Sequence, residues 1–440
     1  MSEADADDGQ FGRELRRLRE QAGLTQVRLA ARLGYNHTYV SKLESGARVP
    51  RMAFAGGADE LLGAGGSLIA LAEGARAQRQ KHGDGHTADG VPFPVPPLEV
   101  PPAQVEPRRI RLPSYGVTCP LHGMDGCMVF TPANGLEGLI DGSARTVGAR
   151  TVHGLAAMLV AHIEADVEGR VAELCAPVEQ TLAALMDLMP RASESMTKAL
   201  LRLAAQYADL AAWQRIKRGQ HGIGMIWLHR SVEWATAARD SPTACGALSS
   251  MSSLALLEGD GATAMEYARA AGALDPSRRW IAVQAGLAEA RGQALLGDRR
   301  EVARLTGQAQ RIAERLGEQD RVEAPWFFDA EGATYMASHF SGALRDLTET
   351  TGDRAIAGRA AMFAESALAT VPDRMPVSRL LLTIRLADTQ ACGGALDAAV
   401  EVARPVLAAA QASGSTLIGH ELDRLRIRLG SRGRDLLTDL

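Results

Sequence analysis

The stretch LTQVRLAARLGYNHTYVSKLESGARVP, residues 24–50, constrains the fold of this chain more than any other. It reads as a helix, a tight turn and a second helix. Thr25 can cap the first helix, its hydroxyl accepting from a free backbone N–H. Leu29, Ala30 and Leu33 then recur at helical spacing and make one apolar stripe. Ala30 is small enough to let a second helix cross closely. Gly34 supplies the positive φ that a sharp interhelical turn needs. Asn36 caps the second helix, in which Val40 and Leu43 face inward and His37, Thr38, Ser41, Lys42 and Ser45 are left on other faces. Gly46 is placed to end that helix in a left-handed conformation, and Pro50 can open another.

The flanks extend the pattern. Phe11, Leu15, Leu18 and Ala22 share one face of a preceding helix closed by Gly23, and residues 51–62 and 67–79 read as two further helices. Five short helices in one N-terminal segment make a compact domain. Over residues 11–81 there are twelve Lys and Arg against six Asp and Glu, inside a chain whose net charge is −4. Such local positive charge is the electrostatic footprint of a nucleic-acid module, and a polar, basic second helix suits insertion into the major groove.

The segments LTQ (24–26), LAARLG (29–34) and SKLESGARVP (41–50) resemble the XRE family of Cro/repressor-like helix-turn-helix proteins over residues 11–63. The resemblance implies that helix 25–33 lies across the DNA backbone and that helix 36–45 is the recognition helix. It places Gln26, Asn36, His37, Thr38, Tyr39, Ser41, Lys42 and Arg48 at the DNA, with Gln26 and Arg48 on phosphates. It also makes Arg19 and Glu44 a structural ion pair. The chain departs from the family at Gly56-Gly57, inside the expected fourth helix. Two glycines cost on the order of 2 kcal/mol there, so a kinked, short or mobile helix is expected.

A chain of 440 residues needs two or three domains. Aromatic residues make up only 4 % while Ala and Leu abound, the composition of a helical protein. Residues 1–10 read as a disordered acidic tail. With no apolar leader and no long apolar stretch, a cytoplasmic protein with no membrane partner is expected. The five cysteines, scattered and odd in number, are expected to be reduced.

Composition breaks after Gln80. KHGDGHTADG is polar and glycine-rich, and VPFPVPPLEVPPAQVEPRRIRLP alternates Pro with apolar residues, so 81–113 reads as a semi-rigid linker. Residues 114–145 look irregular. Within them Cys119, His122 and Cys127 form C-x2-H-x4-C. Zinc needs four ligands, or three and an open position. No adjacent fourth is evident, and His153, His82 or His86 could reach only through folding. Plain loop residues are the first reading, zinc on Cys119, His122 and Cys127 and a redox-responsive thiol pair stand behind it, and no cofactor is expected.

From 146 to 440 helix follows helix. Breaks at Gly219-Gln220, Gly259-Asp260, Gly297-Asp298, Gly352-Asp353 and Gly393-Gly394 are spaced by 40, 38, 55 and 41 residues. A period near 40 marks stacked helical hairpins, and the segment RVEAPWFFDA (321–330) accounts for the longer interval. Ala-rich helices such as GDGATAMEYARAAGALDP (259–276) follow the breaks. These units resemble degenerate tetratricopeptide (TPR) repeats. Together with the N-terminal segment and the linker they resemble a group of actinobacterial transcription regulators and the peptide-sensing regulators of Gram-positive bacteria.

The expected fold class is thus all-α: a five-helix Cro/repressor-like domain at 11–80, a Pro-rich linker and a TPR-like α-solenoid. By the resemblance, the concave side of the solenoid takes the ligand. Gln206, Tyr207, Trp213, Arg215, Ser249, Ser252, Gln284, Glu289 and Tyr335, on the first helices of the hairpins, are the candidates to line it, with Trp213 and Trp326 read as packing residues. No phosphate loop, HExxH or GxSxG occurs and no catalytic residue is expected. The reading is a dimeric regulator that binds a double-stranded operator and senses a small molecule or peptide. The alternative is an adaptor whose repeats bind a protein and whose N-terminal domain localises it to DNA. A deep pocket marks the first and an open, charged concave face the second.

Overall fold

The computed structural model describes residues 4–26, 29, 37–45, 52–82, 108–132, 136–140, 147–169 and 173–430. They fall into two compact units divided near residue 98.

In the N-terminal unit the described helices are α1 (Ala4–Gln21), α2 (His37–Glu44), α3 (Met52–Leu62) and α4 (Ser67–His82). Phe11, Leu15, Leu29, Val40, Leu43, Phe54, Ala58 and Leu68 are all buried and close one core. Leu18 packs against its edge, while Ala22 is exposed. Helix α1 begins at Ala4, inside the stretch read as an acidic tail. Helix α3 runs unbroken through Gly56-Gly57. Its Phe54, Ala55 and Ala58 are buried, and that burial outweighs the glycine penalty. Asp59 ties α3 to α4: its carboxylate accepts from the backbone N–H of Gly66 at 2.7 Å and of Leu68 at 2.9 Å. Three of the residues discussed above, Ala30, Leu33 and Gly34, lie outside the described residues.

The second unit opens with two short antiparallel strands, β1 (Arg109–Leu112) and β2 (Cys127–Phe130), paired Arg109 with Phe130 through Leu112 with Cys127. They are an addition to an otherwise helical architecture. Strand β1 falls inside the range read as linker, and β2 inside the range read as irregular. Ile110, Leu112 and Val129 are buried against the helices that follow. These are α5 (Glu137–Ile140), α6 (Ala149–Val167) and α7 (Cys175–Leu188).

Helical hairpins then succeed one another: α8 (Glu194–Ile216) with α9 (His221–Ala237), α10 (Ser241–Leu257) with α11 (Gly261–Leu274), and α12 (Arg279–Leu295) with α13 (Arg299–Ala313). After a short α14 (Glu318–Glu323) come α15 (Asp329–Thr351) with α16 (Arg354–Thr370), and α17 (Pro376–Cys392) with α18 (Leu396–Ala403). Helices α19 (Leu407–Ala412) and α20 (Thr416–Leu429) finish the unit. The glycine breaks are the turns inside these hairpins. Gly219, Gly259, Gly297 and Gly352 all have φ between 70° and 79°, the left-handed conformation that ends a helix. The aspartates that follow cap the next helix: Asp260 accepts from Thr263 N–H, Asp298 from Glu301 N–H and Asp353 from Ala355 N–H. The long interval holds α14 and a 3-10 turn at Pro325–Phe327, as RVEAPWFFDA suggested.

Helix α20 docks far back along the chain. Thr416 donates its backbone N–H to Lys217 O at 2.8 Å and its hydroxyl to Ile216 O at 3.1 Å. Behind it lies a buried ionic network. Arg345 of α15 donates to Asp388 of α17 at 3.1 Å and to Glu421 of α20 at 2.7 Å. Arg385 reaches Glu421 at 2.7 Å, and Arg428 reaches Asp388 at 2.7 Å.

Candidate DNA-binding surface and ligand cavity

Helix α2 is held against α1 by polar and steric contacts. Arg19 donates from Nε to Glu44 Oε1 at 2.5 Å and from Nη2 to Oε2 at 2.9 Å. Its Nη1 donates to Leu24 O at 2.8 Å. Arg19 and Glu44 are largely buried, so this pair locks the end of α2 onto α1. Gln26 joins it, donating Nε2 to Glu44 Oε2 at 2.8 Å. An amide carries two donor hydrogens, so this bond uses one of the two. At the crossing, a Cβ on Gly12 would stand 2.2 Å from Leu43 O and 2.9 Å from Glu44 O. Only a glycine lets the two backbones approach so closely.

The backbone of α2 carries His37, Thr38, Tyr39, Ser41 and Lys42 on one short helix, with Val40 and Leu43 turned into the core. Asn36, Arg48 and the turn before α2 lie outside the described residues. The helix-turn-helix domain family matches residues 10–72. The N-terminal unit is a helix-turn-helix domain. Such a domain is the DNA-binding part of a regulator, and the helix-turn-helix match supports that role here. No curated protein and no solved structure matches the chain. Among the described residues no helix is long and apolar enough to cross a membrane.

Lys42→Ala in the helix-turn-helix domain is expected to weaken binding to all duplexes alike and to reduce the salt slope by about 0.9 if the lysine neutralises a phosphate. Fluorescence anisotropy over a salt series measures both. An unchanged affinity and slope would remove Lys42 from the interface.

The second unit contains a cavity of about 760 Å³, a volume within the range of small-molecule sites. Its walls come from the loop after β1, from α6, α8 and α10, and from the segment around α14. The loop reaches across the helices. A Cβ on Gly116, whose φ is +76°, would lie 3.0 Å from Glu323 O and 3.2 Å from Trp326. The guanidinium of Arg374 stands 5.9 Å from the centre of the Tyr115 ring.

Aromatic rings with anchored polar edges face this space. Trp280 donates Nε1 to Glu323 at 2.9 Å and meets Trp326 edge to face at 5.9 Å. Trp213 donates Nε1 to Ser250 Oγ at 3.0 Å. Most of the charges lining the cavity are paired: Lys217 with Asp166 at 2.6 Å, and Arg374 with Glu331 at 2.6 Å. Asp209 differs. It reaches the cavity wall, its Oδ1 has no hydrogen-bond partner, and burial pushes its carboxyl up to about 6, a rise that Ser250 only partly opposes.

Of the candidates named for the concave side, Gln206 and Trp213 line this cavity. The others stand elsewhere. Tyr207 is buried behind the wall with its hydroxyl donating to Leu155 O, and Arg215 is paired with Glu179. Ser249 and Ser252 are buried, and Ser252 donates to Ala264 O. Gln284 has a buried, unpartnered Oε1, and Glu289 pairs with Arg269. Tyr335 meets Phe327 edge to face and lies tilted against His339. Trp326 lines the cavity while packing on Trp280 and Phe327. Sequence reasoning passed over Asp209, Trp280 and Tyr115. A lone aspartate in the Ala-rich helix around YADLAAW was the available signal, since nothing else there calls for a buried charge.

Cys119, His122 and Cys127 do come together, and His153 joins them.

Proposed function

We propose that this protein is a sequence-specific transcription regulator that binds its operator as a dimer and whose TPR-like second unit senses a small molecule. The observation that carries the sensing part is the aromatic-walled cavity with Asp209 in its lining. Loop 113–124 contributes to the cavity wall, which favours a small ligand over a protein partner. Tryptophan faces suit a flat or aliphatic body. Asp209 suits a hydrogen-bond donor or an ammonium group on that body. Signal binding would change the freedom of two helix-turn-helix domains that must meet half-sites at fixed helical phase.

The experiment measures operator affinity of the full chain with and without the small-molecule fraction of a source-cell extract. Gly246 lines the cavity, and the space where its Cβ would stand is open. Gly246→Phe is expected to obstruct the cavity, preserve DNA binding and abolish the response to the extract. An extract that leaves the wild-type affinity unchanged contradicts the sensor reading.

Asp209→Asn gives a second expected outcome. With its folded pKa raised, the carboxyl imposes no cost at low pH. The cost grows as pH rises from the unfolded value near 4 through about 6. The amide removes it, and the variant is expected to gain about 1–2 kcal/mol at pH 7.5, less than the full shift implies because the amide is itself a buried polar group. No gain should appear at pH 4. Thermal melts at the two pH values test this, and an equal effect at both would refute the assignment.

A further inference from the structure

We propose that Cys119, His122, Cys127 and His153 hold one zinc ion in a closed tetrahedral site, and that this ion fixes the loop forming one wall of the cavity. The four ligand atoms all lie within 4.8 Å of one another. Cys119 Sγ is 3.4 Å from His122 Nδ1 and 3.4 Å from His153 Nε2, and Cys127 Sγ is 3.7 Å from His153 Nε2. Tetrahedral zinc, with bonds of about 2.3 Å to sulfur and about 2.0–2.1 Å to nitrogen, sets ligand–ligand edges of roughly 3.4–3.8 Å. The three sulfur–nitrogen separations above fall on those edges, and the four atoms converge within 4.8 Å. Thiol–imidazole hydrogen bonds alone are weak and give no reason for two sulfurs and two rings to converge on one point.

The chain presents the ligands from rigid places. Cys119 begins a tight turn closed by Gly123 N–H donating to Cys119 O at 2.8 Å, and His122 lies within that turn. Cys127 opens β2, paired with Leu112 of β1. His153 stands in the first turns of α6. Two sulfurs and two imidazole nitrogens select zinc over the hard, oxygen-seeking magnesium and calcium. Four protein ligands leave no open coordination position, so the site is structural.

The surrounding architecture has need of such a staple. Two four-residue strands make a marginal sheet by themselves. The ion would tie that sheet and its loop to α6. The same loop contributes Val117, Thr118, Gly123 and Met124 to the cavity, and α6 contributes Ile163 and Asp166. Loading of the site would release the two thiol protons to solvent.

The test uses the full chain, purified without chelators. Metal analysis is expected to find one zinc per chain. After chelation under reducing conditions, added cobalt(II) is expected to give the visible bands of a tetrahedral ion and a thiolate charge-transfer band. Cys119→Ser with Cys127→Ser should lose the zinc and the charge-transfer band. His153→Ala should weaken zinc affinity by more than about tenfold. Cys245→Ser, remote from the cluster, should keep the metal. The proposal is overturned if wild-type protein carries no zinc and gives no cobalt spectrum, if a Cys119–Cys127 disulfide is found in place of metal, or if the double serine variant retains its zinc.

Discussion

Gly12→Val is expected to melt the helix-turn-helix domain at least 10 °C lower and to weaken operator binding by more than tenfold, on the scale of about 4–8 °C per kcal/mol for a domain of this size. Added carbons on residue 12 meet two backbone carbonyls of α2, Leu43 O at 2.2 Å and Glu44 O at 2.9 Å from the first of them. Backbone cannot rotate away as a side chain can, so the overlap is relieved only by pushing the helices apart. Overpacking of this kind costs typically about 1–3 kcal/mol, and a branched side chain against backbone lies at or above the upper end. Displacement also breaks the Arg19–Glu44 lock and moves the helix that presents Ser41 and Lys42. Gly56→Ala is the matching control. No atom lies within 4 Å of its Cβ position, and α3 should gain about 1 kcal/mol in helix propensity. Calorimetry on both variants decides the matter; equal melting temperatures would show that the crossing is looser than the distances state.

Arg345→Met carries the second large effect. The guanidinium is buried between Asp388 and Glu421, and its removal leaves buried carboxylates short of a partner. Breaking a buried pair from one side costs about 3–5 kcal/mol. Burial alone would raise the Glu421 carboxyl, but Arg345, Arg385 and Arg424 outweigh it and hold it well below the usual range. A depressed carboxyl adds stability above its unfolded pKa, and that stability is lost as pH falls through the folded one. The wild-type second unit should therefore lose stability in acid below about pH 4, while Arg345→Met should be destabilised already at pH 7. Arg345→Met with Glu421→Leu should lose less than the sum of the two single variants, because both break the same ion pair. Denaturant melts that show additive losses in the double variant would contradict the coupling.

Much of this architecture was legible residue by residue. Phe11 and Leu15 announced the core face of α1, and Arg19 and Glu44 form the pair that the family resemblance implied. Each Gly-Asp break became a left-handed turn followed by an aspartate cap, because that chemistry is local. What escaped was non-local. His153 lies thirty-four residues from Cys119, and only packing of α6 brings it to the sulfurs. Strand β1 is four residues long and follows a proline-rich stretch, so no periodicity could reveal it. Helix α3 kept its glycines because burial of its other face outweighs propensity. The cavity takes a wall from a loop of another element, so a list drawn from first helices alone found Gln206 and Trp213 and missed the rest.

Selection of binding sites from a random duplex library by the full chain, run beside Gly12→Val, tests the central claim most directly. Wild type is expected to enrich a two-fold symmetric motif that the variant does not recover, the signature of a dimer reading DNA through α2. No enrichment by wild type, or the same motif from both proteins, would contradict it.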